Sequence, residues 1–190
     1  MTDDEAHWIA RARAGDATAF RHLVDANAGA LFRVCVRITG HRATAEDAVQ
    51  EALFSAFRHL ADFDSRAAFS TWLHRIAVNA ALMQVRKRRH LEVAWPTQRE
   101  DEDTVLLEAA DESPTPYRHA VSAEIRRDVE TELARMTPIE RAAFVLRHQE
   151  GRSLEEISAT LSLNISAAKQ AIFRAVRKLR AALPAPGEPA

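Results

Sequence analysis

No proline occurs in the first 95 residues of this 190-residue chain. Proline removes a backbone donor and breaks helices, so its absence from a stretch rich in Ala and Leu leaves residues 1–95 free to be helical between glycine breaks. Helices are expected over roughly 4–14, 17–38, 44–61 and 66–90, interrupted near Gly15, Gly40 and the turn Asp62-Phe63-Asp64-Ser65. In the third, Thr44 and Asp47 have capping-box spacing, and Val49, Ala52, Leu53, Ala56, Phe57 and Leu60 recur at helical intervals. Glu46, Asp47, Gln50 and Glu51 face away from that stripe.

The character changes at Pro96. Residues 96–119 hold Pro96, Pro114, Pro116 and the acidic run Glu100 to Asp103, the composition of a linker. Charge follows the same division: residues 1–97 carry +2, 98–120 carry −5 and 121–190 carry +2, although the whole chain stands at −1. Helical spacing resumes with Val121, Ile125, Val129 and Leu133. Thr137-Pro138-Ile139-Glu140 and Ser153-Leu-Glu-Glu156 each place a cap with a glutamate three residues on, and Asn164 can cap a helix running to about Leu183. The expected fold is all-α: two small helical domains, 1–95 and 120–183, joined by a flexible acidic linker over 96–119 and followed by a disordered tail over 184–190.

Several function classes drop out. The single cysteine, Cys35, excludes an internal disulfide and a multi-cysteine zinc site, and the eight histidines show no metal-ligand spacing. The five glycines are too far apart for GxGxxG or a Walker loop. No Ser/His/Asp or Cys/His signature appears, so no catalytic site, metal or cofactor is expected. The longest apolar run is five residues, Ala142 to Leu146, against the ~20 that a membrane span needs. With acids at its start and no signal-like segment, the chain is expected in the cytoplasm, with no direct membrane insertion.

Two basic clusters remain to be explained: Arg86-Lys-Arg-Arg89, and Lys169, Arg174, Arg177, Lys178 and Arg180 in a stretch with no acid from 157 to 187. The second lies in a short helix, a three-residue turn Ser162-Leu163-Asn164 and a longer helix, which is helix-turn-helix spacing. Ala168, Ile172, Ala175 and Leu179 share the face that packs; Ser166, Gln170, Phe173, Arg174 and Arg177 share the free one. Free amide and guanidinium groups suit base edges and phosphates. A plain helical bundle with a solvated basic face fits this motif too.

The residues themselves resemble the extracytoplasmic-function sigma factors of bacterial RNA polymerase, the small members of the sigma-70 family. The resemblance rests on Ala45-Glu-Asp-Ala-Val-Gln-Glu-Ala-Leu53, Phe69-Ser-Thr-Trp-Leu-His-Arg-Ile-Ala-Val-Asn79, Glu156-Ile-Ser-Ala-Thr-Leu161 and Arg174-Ala-Val-Arg-Lys-Leu-Arg180. It implies a first domain of region 2 type that binds the polymerase core and recognises the opened −10 element, and a second of region 4 type that reads the −35 element as duplex. Asp47, Gln50 and Glu51 match the surface for the clamp of the largest core subunit; the flap of the second largest subunit is a further implied partner. The loop from Phe63 to Phe69 and the next helix match the −10 reader: Asp64, Ser65, Arg66, Trp72, Arg75, Asn79 and the basic residues Arg86, Arg88 and Arg89. Asn79 can donate to and accept from an exposed base edge, and Trp72 suits either contact with the melted strand or packing in the core. Ser166, Lys169, Gln170, Phe173, Arg174 and Arg177 are the implied −35 contacts, with promoter DNA and an anti-sigma factor as partners.

The second domain departs from the family pattern. Ser162 stands where Gly is common, at a turn position suited to positive φ. Asn164-Ile-Ser-Ala-Ala-Lys-Gln-Ala171 replaces the usual S-x-G-T-V-K-S-R, so the family's sequence preference does not carry over. A stand-alone helix-turn-helix repressor is the alternative, but it gives the first domain's two motif blocks no role.

Overall fold

The computed structural model of the chain describes residues 3–94 and 127–183. The expected linker, the start of the helix from 120 and the tail over 184–190 lie outside the described residues. The chain divides into two compact units between Arg99 and Glu100, and among the described residues there is no strand.

The first unit contains α1 (Asp3–Arg13), α2 (Ala17–Asp25), α3 (Ala28–Thr39), α4 (Arg42–Arg58), a 3₁₀ turn (Leu60–Asp62) and α5 (Phe69–Ala94). Three local choices differ from the sequence reading. The single helix expected over 17–38 is two, because Asn27 turns its amide back onto the Leu23 carbonyl at 2.8 Å and competes with the helical ladder. α4 starts at Arg42 rather than 44, with His41 at the cap and no side-chain cap bond. Thr44 therefore lies inside the helix, its hydroxyl 3.5 Å from Arg88 Nη1 on α5, and the Thr44/Asp47 capping box does not form. α5 starts at Phe69 rather than 66, since Asp64 holds Arg66 in a turn through its backbone N–H (3.1 Å) and guanidinium (2.7 Å), with Ser65 at φ 60°.

The expected α4 stripe is rotated as well. The fully buried residues are Ala45, Ala48, Ala52 and Ala56, a methyl-only face that lets α4 lie close against α3 and α5. Val49 and Leu53 are half-buried, and Phe57 is 53% exposed, edge-on to Phe20 at 5.2 Å between centroids. Leu31, Val34, Ile38, Phe69, Leu73 and Val78 fill the core. Cys35 is buried there, and desolvation pushes its thiol up to about 12, so it holds no reactive thiolate at neutral pH.

The second unit holds α6 (residues 127–135), α7 (Pro138–Phe144) running into a π turn (Val145–Gln149), α8 (Leu154–Leu161) and α9 (Ile165–Ala182). Thr137 and Ser153 both form the expected capping boxes, and the Asn164 side chain accepts from the Ala167 N–H at 2.7 Å. Ser162 adopts φ 54°, ψ 43° between α8 and α9, so the turn keeps its left-handed geometry without glycine, at a cost of roughly 1 kcal/mol. Leu133, Met136, Ala175 and Leu179 form one cluster of the core, with Val129 and Phe144 packed against it, and Val145, Leu146, Ile157 and Leu161 are buried as well.

One ion pair ties α7 to α9: Lys178 Nζ lies 2.6 Å from Glu140 Oε2, whose carboxylate also accepts from the Thr137 N–H at 3.1 Å. Burial alone would raise the Glu140 pKa, but the Lys178 ammonium and the Thr137 groups outweigh it and hold the carboxyl below its ordinary value of 4.5. A carboxyl lowered in this way contributes stability at neutral pH that disappears as pH falls through the lowered value. Lys178→Met should therefore cost the second unit about 1–3 kcal/mol at pH 7 by leaving a buried carboxylate underpaired. Urea titrations should show the variant and wild type converging below the usual carboxylate range. A gap that persists unchanged in acid would mean that Lys178 acts through packing alone.

Candidate nucleic-acid and polymerase interfaces

Three exposed faces gather the residues singled out from the sequence. On α4, Asp47, Gln50 and Glu51 are all exposed, and at 100° per residue they fall within roughly 100° of arc, opposite the buried alanines. The same arc contains Phe54, 58% exposed, with Arg58 over its ring at 5.6 Å. Phe54 stands outside both the apolar stripe and the polar set that the sequence singles out. The signal was there: Phe54 lies four residues after Gln50 and three after Glu51 on one helical row.

On α5, Trp72, Arg75, Asn79 and Arg86 share a face, spanning roughly 60° at helical spacing. Arg75 and Arg86 are exposed; Trp72 and Asn79 are half-buried. The Trp72 ring packs against Phe63 (5.1 Å) and Phe69 (5.6 Å). Packing thus fixes the orientation of a ring that still reaches the surface. Arg88 does not join this group: it lies on the opposite side of α5, half-buried and directed at Thr44. Arg89 is half-buried between the two faces, about 60° from Arg86. The Phe63–Phe69 loop presents Asp64, Ser65 and Arg66, all exposed, at the N-terminal end of the Trp72–Arg86 row.

On α9, the six residues Ser166, Lys169, Gln170, Phe173, Arg174 and Arg177 are all exposed. They occupy roughly 140° of arc, while Ala168, Ala171, Ala175 and Leu179 are buried behind them. Ile172, expected in the packing face, is half-buried instead and lines an apolar groove with Leu154, Phe173 and Val176 that Arg147 and Arg177 border. Phe173 is 65% exposed, which settles that it is no core residue. The turn before α9 is held by the Leu163 N–H on the Ser158 carbonyl at 3.0 Å, so α9 leaves α8 at a defined angle. Among the described residues no group of three or more His, Cys, Asp or Glu side chains can hold a metal, and no helix is long and apolar enough to cross a membrane.

Comparison with known proteins decides between a bundle and a transcription factor. Sigma-70 region 2 matches residues 23–91 and Sigma-70 region 4 matches 126–179. The chain is 30% identical over 172 residues to an ECF RNA polymerase sigma-E factor of Haemophilus influenzae (strain ATCC 51907), covering 88% of each chain. It belongs to the extracytoplasmic-function sigma factors. A second relative is the ECF RNA polymerase sigma factor SigW of Bacillus subtilis (strain 168), 29% identical over 177 residues, or 90% of this chain and 92% of that one. Among solved structures, the sigma factor RpoE in complex with the anti-sigma factor NepR from Bartonella quintana superposes with a TM-score of 0.60 at 25% identity, covering 85% of this sigma factor and 94% of that chain. α1 and most of α2 precede the residues that region 2 matches.

Proposed function

We propose that this sigma factor binds RNA polymerase core through Asp47, Gln50 and Glu51 on α4 and directs initiation at promoters whose −10 and −35 elements are read by its two units in turn. Residues 1–95 serve core binding and −10 recognition, residues 120–183 serve −35 recognition, and 96–119 join them. The core contacts fall on the clamp of the largest subunit and the flap of the second largest. The observation that carries the reading is the separation of faces on α4 and α9, where residues fitted to a partner stand outward over a seam of buried alanines.

The −10 element is held as an opened strand. A base lifted from the duplex costs a few kcal/mol to unpair, recovered by stacking and by hydrogen bonds to its edge. The half-buried Asn79 amide has that capacity two turns along α5 from Trp72, with Arg75 and Arg86 on the same row for phosphates. The −35 element is read as duplex by α9, with Gln170 suited to adenine and Arg174 to guanine or backbone oxygen. The factor works without a catalytic site of its own, since bond formation belongs to the core, and it acts in the cytoplasm. An anti-sigma factor controls it, a reading supported by the complex in which its structural relative was solved.

Reconstitution with core polymerase and mapping of transcript 5′ ends tests the whole assignment, because a stand-alone repressor would bind duplex without core and start no RNA. Asn79→Ala should reduce initiation roughly 5- to 150-fold on duplex and pre-melted templates alike, for about 1–3 kcal/mol of lost base contact. A fall in core affinity instead would make Asn79 a structural residue.

A further inference from the structure

α1 lies outside residues 23–91, the match to region 2, yet it reaches the loop assigned to the −10 element. Arg13, its last residue, donates from Nε to the Leu60 carbonyl at 3.2 Å, and its guanidinium lies over the Phe63 ring, 6.0 Å from the centroid. Phe63 in turn meets Phe69 edge-on at 5.8 Å and Trp72 at 5.1 Å. One side chain thus grips both the turn that leads into the loop and the ring on which the loop begins.

Arg13 is exposed, but the backbone that carries it is well anchored. Ile9 and Ala12 bury the inner face of α1. Gly15 turns the chain at φ 92°, a conformation that costs glycine little. Asp16 then caps α2 through the Thr18 and Ala19 N–H groups (2.9 and 3.1 Å) and also takes Arg11 Nη2 at 2.6 Å, an exposed pair that joins the end of α1 to the start of α2. The loop's own ties are short-range: the Asp64–Arg66 pair and the left-handed Ser65 lie within three residues of each other. Such ties fix the loop's shape. Its position along α5 depends on where Phe63 is seated.

We propose that Arg13 is a positioning residue for −10 recognition. By holding the Leu60 carbonyl and the Phe63 ring, it sets where Asp64, Ser65 and Arg66 stand relative to Trp72 and Asn79, and so how well an extruded base fits among them. The inference rests on the loop being the −10 reader. Arg13 itself touches no DNA; it acts through Phe63, and it makes the N-terminal helix part of the promoter-reading device.

The test uses the full chain in holoenzyme with core polymerase, and fork-junction DNA whose single-stranded −10 segment is selected from a randomised pool. Each fork is prepared with the preferred base or with an abasic site at the captured position. For Arg13→Ala, affinity for the preferred base should fall about tenfold, while affinity for the abasic fork and for core stays at the wild-type level. Arg13→Lys keeps a donor for the carbonyl and a cation for the ring, and should restore most of the discrimination. The proposal is overturned if Arg13→Ala discriminates as wild type does, or if it loses both forks or core binding equally, as a merely structural residue would. Wild-type protein that binds preferred and abasic forks equally would sink the loop assignment itself, and the proposal with it.

Discussion

Replacing Asp47, Gln50 and Glu51 together with alanine is expected to abolish holoenzyme formation and leave the helix content of the protein unchanged. The three side chains are exposed on the face of α4 opposite Ala45, Ala48, Ala52 and Ala56, so their removal opens no cavity and orphans no buried partner. Exposed substitutions of this kind usually lie within about 0.5 kcal/mol of neutral, and alanine is the best helix former. At an interface the same side chains count for far more. Truncating one member of a desolvated, hydrogen-bonded charge pair costs about 2–5 kcal/mol, so the triple change should weaken core binding by at least about a thousandfold. Phe54, exposed in the same arc, is placed to serve as the apolar anchor within this polar rim, and Phe54→Ala should also weaken binding with no loss of thermal stability. Fluorescence anisotropy of labelled sigma factor titrated with core reads both numbers. Wild-type core affinity in the triple variant would sink the assignment of this face.

The second large effect concerns α9. Gln170→Ala and Arg174→Ala should each reduce −35-dependent initiation by about 5- to 150-fold, the range for losing about 1–3 kcal/mol of base or phosphate recognition, without altering core affinity. The two should differ in kind. Loss of an adenine-reading amide relaxes preference at one position, whereas loss of a phosphate contact weakens all sequences and lowers the salt dependence by about 0.9 per contact. Selection of −35 sequences with each holoenzyme, repeated at two salt concentrations, separates them. Unchanged preference and unchanged salt slope in both variants would remove α9 from the DNA interface.

Much of this organisation is legible without coordinates. The all-α class follows from the proline-free first half, and the caps at Thr137, Ser153 and Asn164 follow from residue types that satisfy the first N–H groups of a helix. The left-handed turn at Ser162 is legible because the family so often places glycine there. The misses share a cause. Asn27 splits one helix, Asp64 delays another, and Thr44 sits within a helix rather than capping it. In each case a short polar side chain had several backbone or side-chain partners available, and tertiary packing chose among them. The α4 stripe differs from its apolar pattern for a related reason: a close helix contact needs small residues, so the alanines are buried and Leu53, Phe54 and Phe57 stand at the margin. Arg13 was invisible because a bond to Leu60, 47 positions along the chain, leaves no periodic trace.

α4 and α9 each turn a row of buried alanines toward the rest of their units: Ala45, Ala48, Ala52 and Ala56 in α4, and Ala168, Ala171 and Ala175 in α9. A larger side chain on such a seam must push a neighbouring helix away, at a cost of about 1–3 kcal/mol for overpacking. Those positions leave almost no room for change. Half a turn away, the residues proposed to meet polymerase or DNA are exposed and can be rewritten one at a time with the scaffold intact. Divergence of promoter choice can therefore outrun divergence of the fold, and a duplicated copy of this gene needs no stabilising change before it acquires a new set of targets.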